Sequence, residues 1–142
     1  MSDLELKVKS ALLNVLVAAL SIVVLVFFVL GGLKELVLFL LFWGTISTFL
    51  FGWLLSGWYI QIPNEKWLIE PYLATTVISV PSAICTGLIY MSYIALDSHE
   101  LAWSEVAFSG VFGGMVAVVY SLPISLICGL LIGLYFKRAQ KL

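Results

Sequence analysis

The sequence predicts an all-α integral membrane protein with four transmembrane helices and short loops. Hydrophobic residues make up 63% of the chain and charged residues 11%, whereas soluble domains are about half apolar and a quarter charged. Four stretches carry no charge: residues 10–30, 36–60, 72–96 and 106–136. Each reaches the roughly 20 residues that a helix needs to cross a bilayer. None alternates between apolar and polar residues as the strands of a membrane barrel do. We expect the four helices to form one membrane domain over residues 1–142.

The first stretch also has features of a signal peptide, because Lys7 and Lys9 precede it and two glycines follow it. Its 21 uncharged residues exceed the apolar region of a signal peptide, which is roughly 7–15 residues long. We therefore expect this stretch to be a spanning helix.

The distribution of basic residues predicts the orientation. Lys34 is alone between the first two stretches, while the other six lie before the first stretch, between the second and third, or after the fourth: Lys7, Lys9, Lys66, Lys137, Arg138 and Lys141. In a four-helix protein those three regions share one side of the membrane. Because Lys and Arg are retained on the cytoplasmic side, both termini are expected to be cytoplasmic. A bacterial inner membrane is the expected location.

Small residues recur at every fourth position and predict close helix packing. Lipid is as apolar as a helix surface, so helices associate in membranes where small side chains let backbones approach. The second stretch contributes Gly44, Thr48 and Gly52, and the fourth contributes Ser109, Gly110, Gly113, Gly114, Ala117, Gly129 and Gly133. Each four-residue step turns about 40° around the helix. The fourth helix should therefore contact several neighbouring helices. These could all belong to one chain, but we expect some of them to belong to other copies in a homo-oligomer.

The third and fourth stretches share the pattern S-x-P-x5-G-L near their middles. A proline inside a helix removes one backbone hydrogen bond, and serine hydroxyls or neighbouring helices compensate for that loss in membranes. Both helices are therefore expected to be kinked near the midplane, either as a packing feature only or around a cavity or pore. The residues concerned are Ser79, Pro81 and Ser82 in the third stretch and Ser121, Pro123 and Ser125 in the fourth.

The sequence lacks the usual marks of catalysis or ion coupling. The four stretches contain no Asp, Glu, Lys, Arg or His, and such residues are typical of proton-coupled pumps. His99 is the only histidine, which is a poor basis for a metal site or a nucleophile–base pair. No basic patch favours nucleic acid. We therefore expect no enzyme activity, cofactor, metal or nucleic-acid partner.

Function must then reside in the bilayer, because the predicted loops are short. We expect a small polytopic protein that acts without catalysis through helix–helix contacts, as a membrane sensor, a scaffold or an immunity-type component. It would contact lipid, further copies of itself, or another membrane or cytoplasmic protein. Two alternatives are a small channel or uncoupled transporter lined by polar residues of the third and fourth helices, and a holin-like permeabilising protein.

Overall fold

The chain forms four long helices. The computed structural model describes residues 2–28, 31, 34–56 and 70–140. Within these ranges the helices are α1 (Asp3–Phe28), α2 (Lys34–Leu54), α3 (Glu70–Ser98) and α4 (Trp103–Gln140), and there is no strand. All four are long and apolar enough to cross a membrane, which makes the protein a candidate multi-pass membrane protein.

The helices extend beyond the uncharged stretches at several ends. α1 begins at Asp3, where the Ser2 hydroxyl accepts a hydrogen bond from the Glu5 amide over 3.3 Å, an N-terminal cap. Lys9 and Glu5 form an ion pair of 2.6 Å one turn further on. The uncharged stretch therefore predicted the apolar part of α1 but not the residue at which the helix begins.

The predicted second span ran to residue 60, whereas α2 ends at Leu54 and continues as a turn through Leu55 and Ser56. The remainder of that span lies outside the described residues, together with the loop that contains Lys66. Two further positions used for the orientation, the side chain of Lys34 and residue Lys141, also lie outside them.

The four helices are arranged in a ring, in chain order. α3 and α4 share the most extensive contact, followed by α1 with α2, α2 with α3, and α4 with α1; α1 and α3 touch only slightly. Such a ring leaves space at its centre unless side chains from the diagonal helices meet there.

Buried apolar side chains form a cluster at one end of the ring. The cluster, called the closing core below, lies at the end that holds both chain termini and contains Leu6, Val17, Ala74, Ile78, Ile132 and Phe136. It draws on α1, α3 and α4, and it is contacted by Phe51 of α2 and by Leu55 in the turn that follows α2. This end of the bundle is therefore filled by side chains from all four helices.

Glycines allow the closest helix contacts. A β-carbon on Gly114 would lie 2.7 Å from the Ile84 α-carbon, and one on Gly110 would lie 2.9 Å from that of Leu88. Gly87 on α3 packs directly against the backbone of Gly110. Backbone contact without intervening side chains gives α3 and α4 their extensive interface.

A central cavity as the candidate functional site

The ring encloses a cavity of about 370 Å³ that all four helices line. Along α1 it extends from Asn14 to Leu25, and along α4 from Ser109 to Ser125. At 1.5 Å per residue these segments are about 16 Å and 24 Å long. The cavity is therefore a long, narrow slot parallel to the helices.

One end of the slot is closed. Asn14 and Val17 line the cavity on α1, and Val17 also belongs to the closing core. On α3 the lining residue Thr75 is next to Ala74 of the closing core. At this end the slot consequently meets the closing core.

The slot extends to the outer surface beside α4. Phe112 faces outward and is 60% exposed, and Val116, one turn further, is 38% exposed while lining the cavity. Residues four apart share a helix face. Gly113, between them, also lines the cavity, and nothing lies within 4 Å of its β-carbon position. The slot is therefore open sideways next to Gly113 and Val116.

Many hydroxyl groups line the slot, yet most bond to their own helix. The Ser82 hydroxyl donates to the Ile78 carbonyl over 2.6 Å, and the Thr86 hydroxyl donates to the Ser82 carbonyl over 2.8 Å. Ser21 behaves likewise on α1, donating to the Val17 carbonyl over 2.8 Å. Such back-bonding is common for Ser and Thr inside helices. Because these donors are used locally, the wall offers mainly aliphatic surface.

Ser125 carries a lining hydroxyl that is fully buried and makes no such bond. The residue is 1% exposed, it lines the cavity, and its Oγ has no hydrogen-bond partner in the described part of the chain. Its position is the deep end of the slot, because neighbouring Ile124 packs against the closing core. A buried polar group without a partner calls for an explanation.

Of the residues near the two prolines that the sequence analysis named, the serines line the cavity and the prolines do not. Ser79, Ser82, Ser121 and Ser125 all line the cavity. Pro81 and Pro123 lie inside continuous helices and are outside the cavity wall. The structure thus brings the four serines together around one space; kinks at the prolines stay a prediction.

Each proline lacks the N–H that would bond to the carbonyl four residues earlier. Serine hydroxyls near each proline donate to the carbonyls next to that one. Pro81 deprives the Val77 carbonyl, and Ser79 and Ser82 donate to the carbonyls on either side of it, those of Thr76 and Ile78. Pro123 deprives the Val119 carbonyl, and Ser121 donates over 2.9 Å to the carbonyl of Val118. These serines therefore support the helix turn around each proline.

The predicted packing residues fall into three groups. Gly44, Gly52, Gly110 and Gly114 permit close contacts between helices of the same chain. Gly129 and Gly133 are buried on the last part of α4. The remaining four line the cavity: Thr48, Ser109, Gly113 and Ala117. Much of the small-residue pattern therefore has a role inside one chain, and a homo-oligomer interface stays a prediction.

The contribution of α1 was missed by the sequence analysis, which assigned a possible cavity to the third and fourth helices. α1 provides six lining residues: Asn14, Val17, Ala18, Ser21, Ile22 and Leu25. Asn14, the one amide in this helix, was the available signal, followed four residues later by the small Ala18.

The wall of the cavity carries no charge. None of the described lining residues is Asp, Glu, Lys, Arg or His, and the described residues include no group of three that could hold a metal ion. Outside the cavity, His99 follows α3 with a positive φ of 53°. Hydrogen bonding and apolar contact are the interactions that this wall can offer.

Fold and cavity together define the class: a small four-helix bundle of membrane-spanning length with a long internal slot. Comparison with protein-family models, with curated proteins and with solved structures gave no significant match.

Proposed function

We propose that the protein is a non-enzymatic membrane protein that binds an uncharged, mainly apolar molecule in its central slot. The observation that carries the proposal is the cavity of about 370 Å³ lined by all four helices. Binding sites for small molecules are usually concave, mainly apolar and of roughly 300–1,000 Å³. Occupancy of the slot would make the protein a membrane sensor or receptor for that molecule.

The outer surface of the bundle supports insertion into a bilayer. Large apolar side chains are exposed on every helix, including Leu16, Phe42, Leu96 and Phe112. Soluble proteins rarely expose such continuous apolar surface. The sideways opening at Gly113 would then face lipid, so the molecule would enter from the bilayer. The bias in basic residues supports a cell membrane location with both termini in the cytoplasm.

A saturable photolabelling experiment tests the proposal. The full-length protein is reconstituted in phosphatidylcholine nanodiscs and irradiated with dodecane that carries a diazirine, and labelled residues are located by mass spectrometry. We expect saturable labelling of the slot, including α1 between Asn14 and Leu25, and competition by unlabelled dodecane. Non-saturable labelling confined to lipid-facing residues such as Phe112 would contradict the proposal.

An uncoupled transporter is the second candidate, and the length of the slot favours it. The slot follows α3 from Thr75 to Met91, about 24 Å at 1.5 Å per residue, compared with roughly 30 Å for the hydrocarbon core. Transport would require the closing core to open. A flux assay in liposomes distinguishes the two candidates, because a receptor binds the probe without moving it across the bilayer.

Two further proposals concern assembly and permeabilisation. A homo-oligomer would form at the open edge around Gly113, where nothing lies within 4 Å of the β-carbon position, and cross-linking in native lipid would detect it.

A holin-like activity would release dye from the same liposomes used for the flux assay. Dye retention would remove the holin-like alternative.

A further inference from the structure

We infer that the deep end of the slot binds an uncharged hydrogen-bonding group, so that the ligand is a long-chain alcohol or carbonyl compound held by Ser125. The inference rests on the proposed function and specifies the chemical class of the molecule bound. Its apolar chain occupies the upper slot, and its polar end meets the Ser125 hydroxyl.

The state of the Ser125 hydroxyl is the first argument. It is buried and lines the cavity, and it has no partner in the described part of the chain. Leaving a hydroxyl buried and unpaired is unfavourable. A hydroxyl can both donate and accept, so an alcohol or a carbonyl group in the slot would satisfy it.

The surroundings of Ser125 are the second argument. Each of the other helices places one buried polar side chain on the same cavity near the closing core: Asn14 on α1, Thr48 on α2 and Thr75 on α3. The shared level is supported by Gly52, whose β-carbon position is 3.6 Å from the Asn14 β-carbon and which lies one turn after Thr48. Buried polar side chains from all four helices therefore lie near the deep end of the slot.

The remainder of the slot determines the rest of the ligand. Above this polar end the wall includes Ile22, Leu25, Leu36, Leu40, Met91 and Val116. These side chains suit a hydrocarbon chain. A charged end group is disfavoured, because no described lining residue offers it an opposite charge and an unpaired charge is costly in an apolar interior. The ligand is therefore uncharged and amphipathic.

Two probes that differ only in the end group test this inference. In nanodiscs, the protein is labelled with 1-dodecanol or with dodecane, each with a diazirine at the same carbon, and half-saturation is expressed as mole fraction in the lipid. One added hydrogen bond should make binding of the alcohol about 5- to 10-fold tighter than that of the alkane. Ser125→Ala should reduce this preference to about 2-fold or less.

Ser10→Ala is the matched control. Ser10 is also 1% exposed and its Oγ also lacks a partner in the described chain, but Ser10 is outside the cavity wall. Both substitutions therefore remove a buried unpaired hydroxyl, and only Ser125→Ala should change the preference for alcohol. Circular dichroism of both variants confirms that the fold is retained.

The outcomes distinguish this inference from the proposed function. Saturable alkane binding with equal alcohol binding in the wild type would overturn the inference and leave the proposed function intact. An equal loss of preference in Ser10→Ala and Ser125→Ala would also overturn it. Absence of saturable binding by either probe would contradict the proposed function itself.

Discussion

Two neighbouring glycines on α4 have opposite surroundings. A β-carbon on Gly114 would meet the Ala83 carbonyl oxygen at 2.9 Å and the Ile84 α-carbon at 2.7 Å, whereas one on Gly113 would meet nothing within 4 Å. Gly114 is thus required for helix contact, and Gly113 borders the open edge of the slot. Two glycines with the same local sequence pattern therefore differ in their importance for stability.

We expect Gly114→Ala to lower the free energy of unfolding by about 1–3 kcal/mol, because the methyl group forces α3 and α4 apart. Gly113→Ala is the matched control and should remain within about 0.5 kcal/mol of the wild type, as expected for a site without tight contacts. SDS titration of the protein in mixed micelles, followed by circular dichroism, measures both. Equal destabilisation by the two substitutions would contradict this placement.

The sequence predicted these small residues as packing positions but could not assign each to a neighbour. Spacing of four residues shows that Gly110 and Gly114 share a face of the helix. It does not show whether that face meets α3, the slot or lipid, since this depends on how α4 is rotated in the bundle. For the same reason the sequence identified Ser125 as a candidate but gave no indication that its hydroxyl is unpaired.

The interface between α1 and α2 depends on one close approach. The β-carbon position of Gly52 lies 3.7 Å from the Ala11 β-carbon and 3.1 Å from the Ala11 α-carbon. Disulfides require β-carbons about 3.5–4.5 Å apart. The register of this helix pair can therefore be tested by cross-linking.

We expect the double variant Ala11→Cys with Gly52→Cys to form an intramolecular disulfide under mild oxidation, in a background where Cys85 and Cys128 are alanine. The control pair, Ala11→Cys with Gly113→Cys, should remain reduced, because Gly113 has no neighbour within 4 Å of its β-carbon position. Labelling of free thiols before and after oxidation measures the result. Similar oxidation of both pairs would contradict the register.

The helices themselves were largely predictable, because apolar length determines membrane-spanning segments. Their ends were less so: α4 continues to Gln140, past Lys137 and Arg138, since a helix does not have to end where charge begins. The sequence also did not show that α1 lines the cavity, because its lining residues Val17, Ile22 and Leu25 are of the same apolar types as residues that face lipid.

The bundle as a unit combines a filled end with an open slot. The closing core joins the helices where both termini lie, while the cavity occupies the remaining length beside α4. The sequence predicted four helices and a possible cavity near the serines. It could not predict the size of the cavity, because a void depends on the distances between helices that do not touch.

The most direct test of the binding site is to replace a small lining residue by a larger one that fills part of the slot. Ala117 lines the cavity, so Ala117→Leu places three additional carbons inside it, while Ala107→Leu adds the same group at an exposed position on α4 outside the wall. We expect Ala117→Leu to weaken saturable binding of the dodecane probe at least about 5-fold, since even one methylene is felt in a packed site, and Ala107→Leu to leave it unchanged. Unchanged binding in a correctly folded Ala117→Leu variant would contradict the assignment of this cavity as the site.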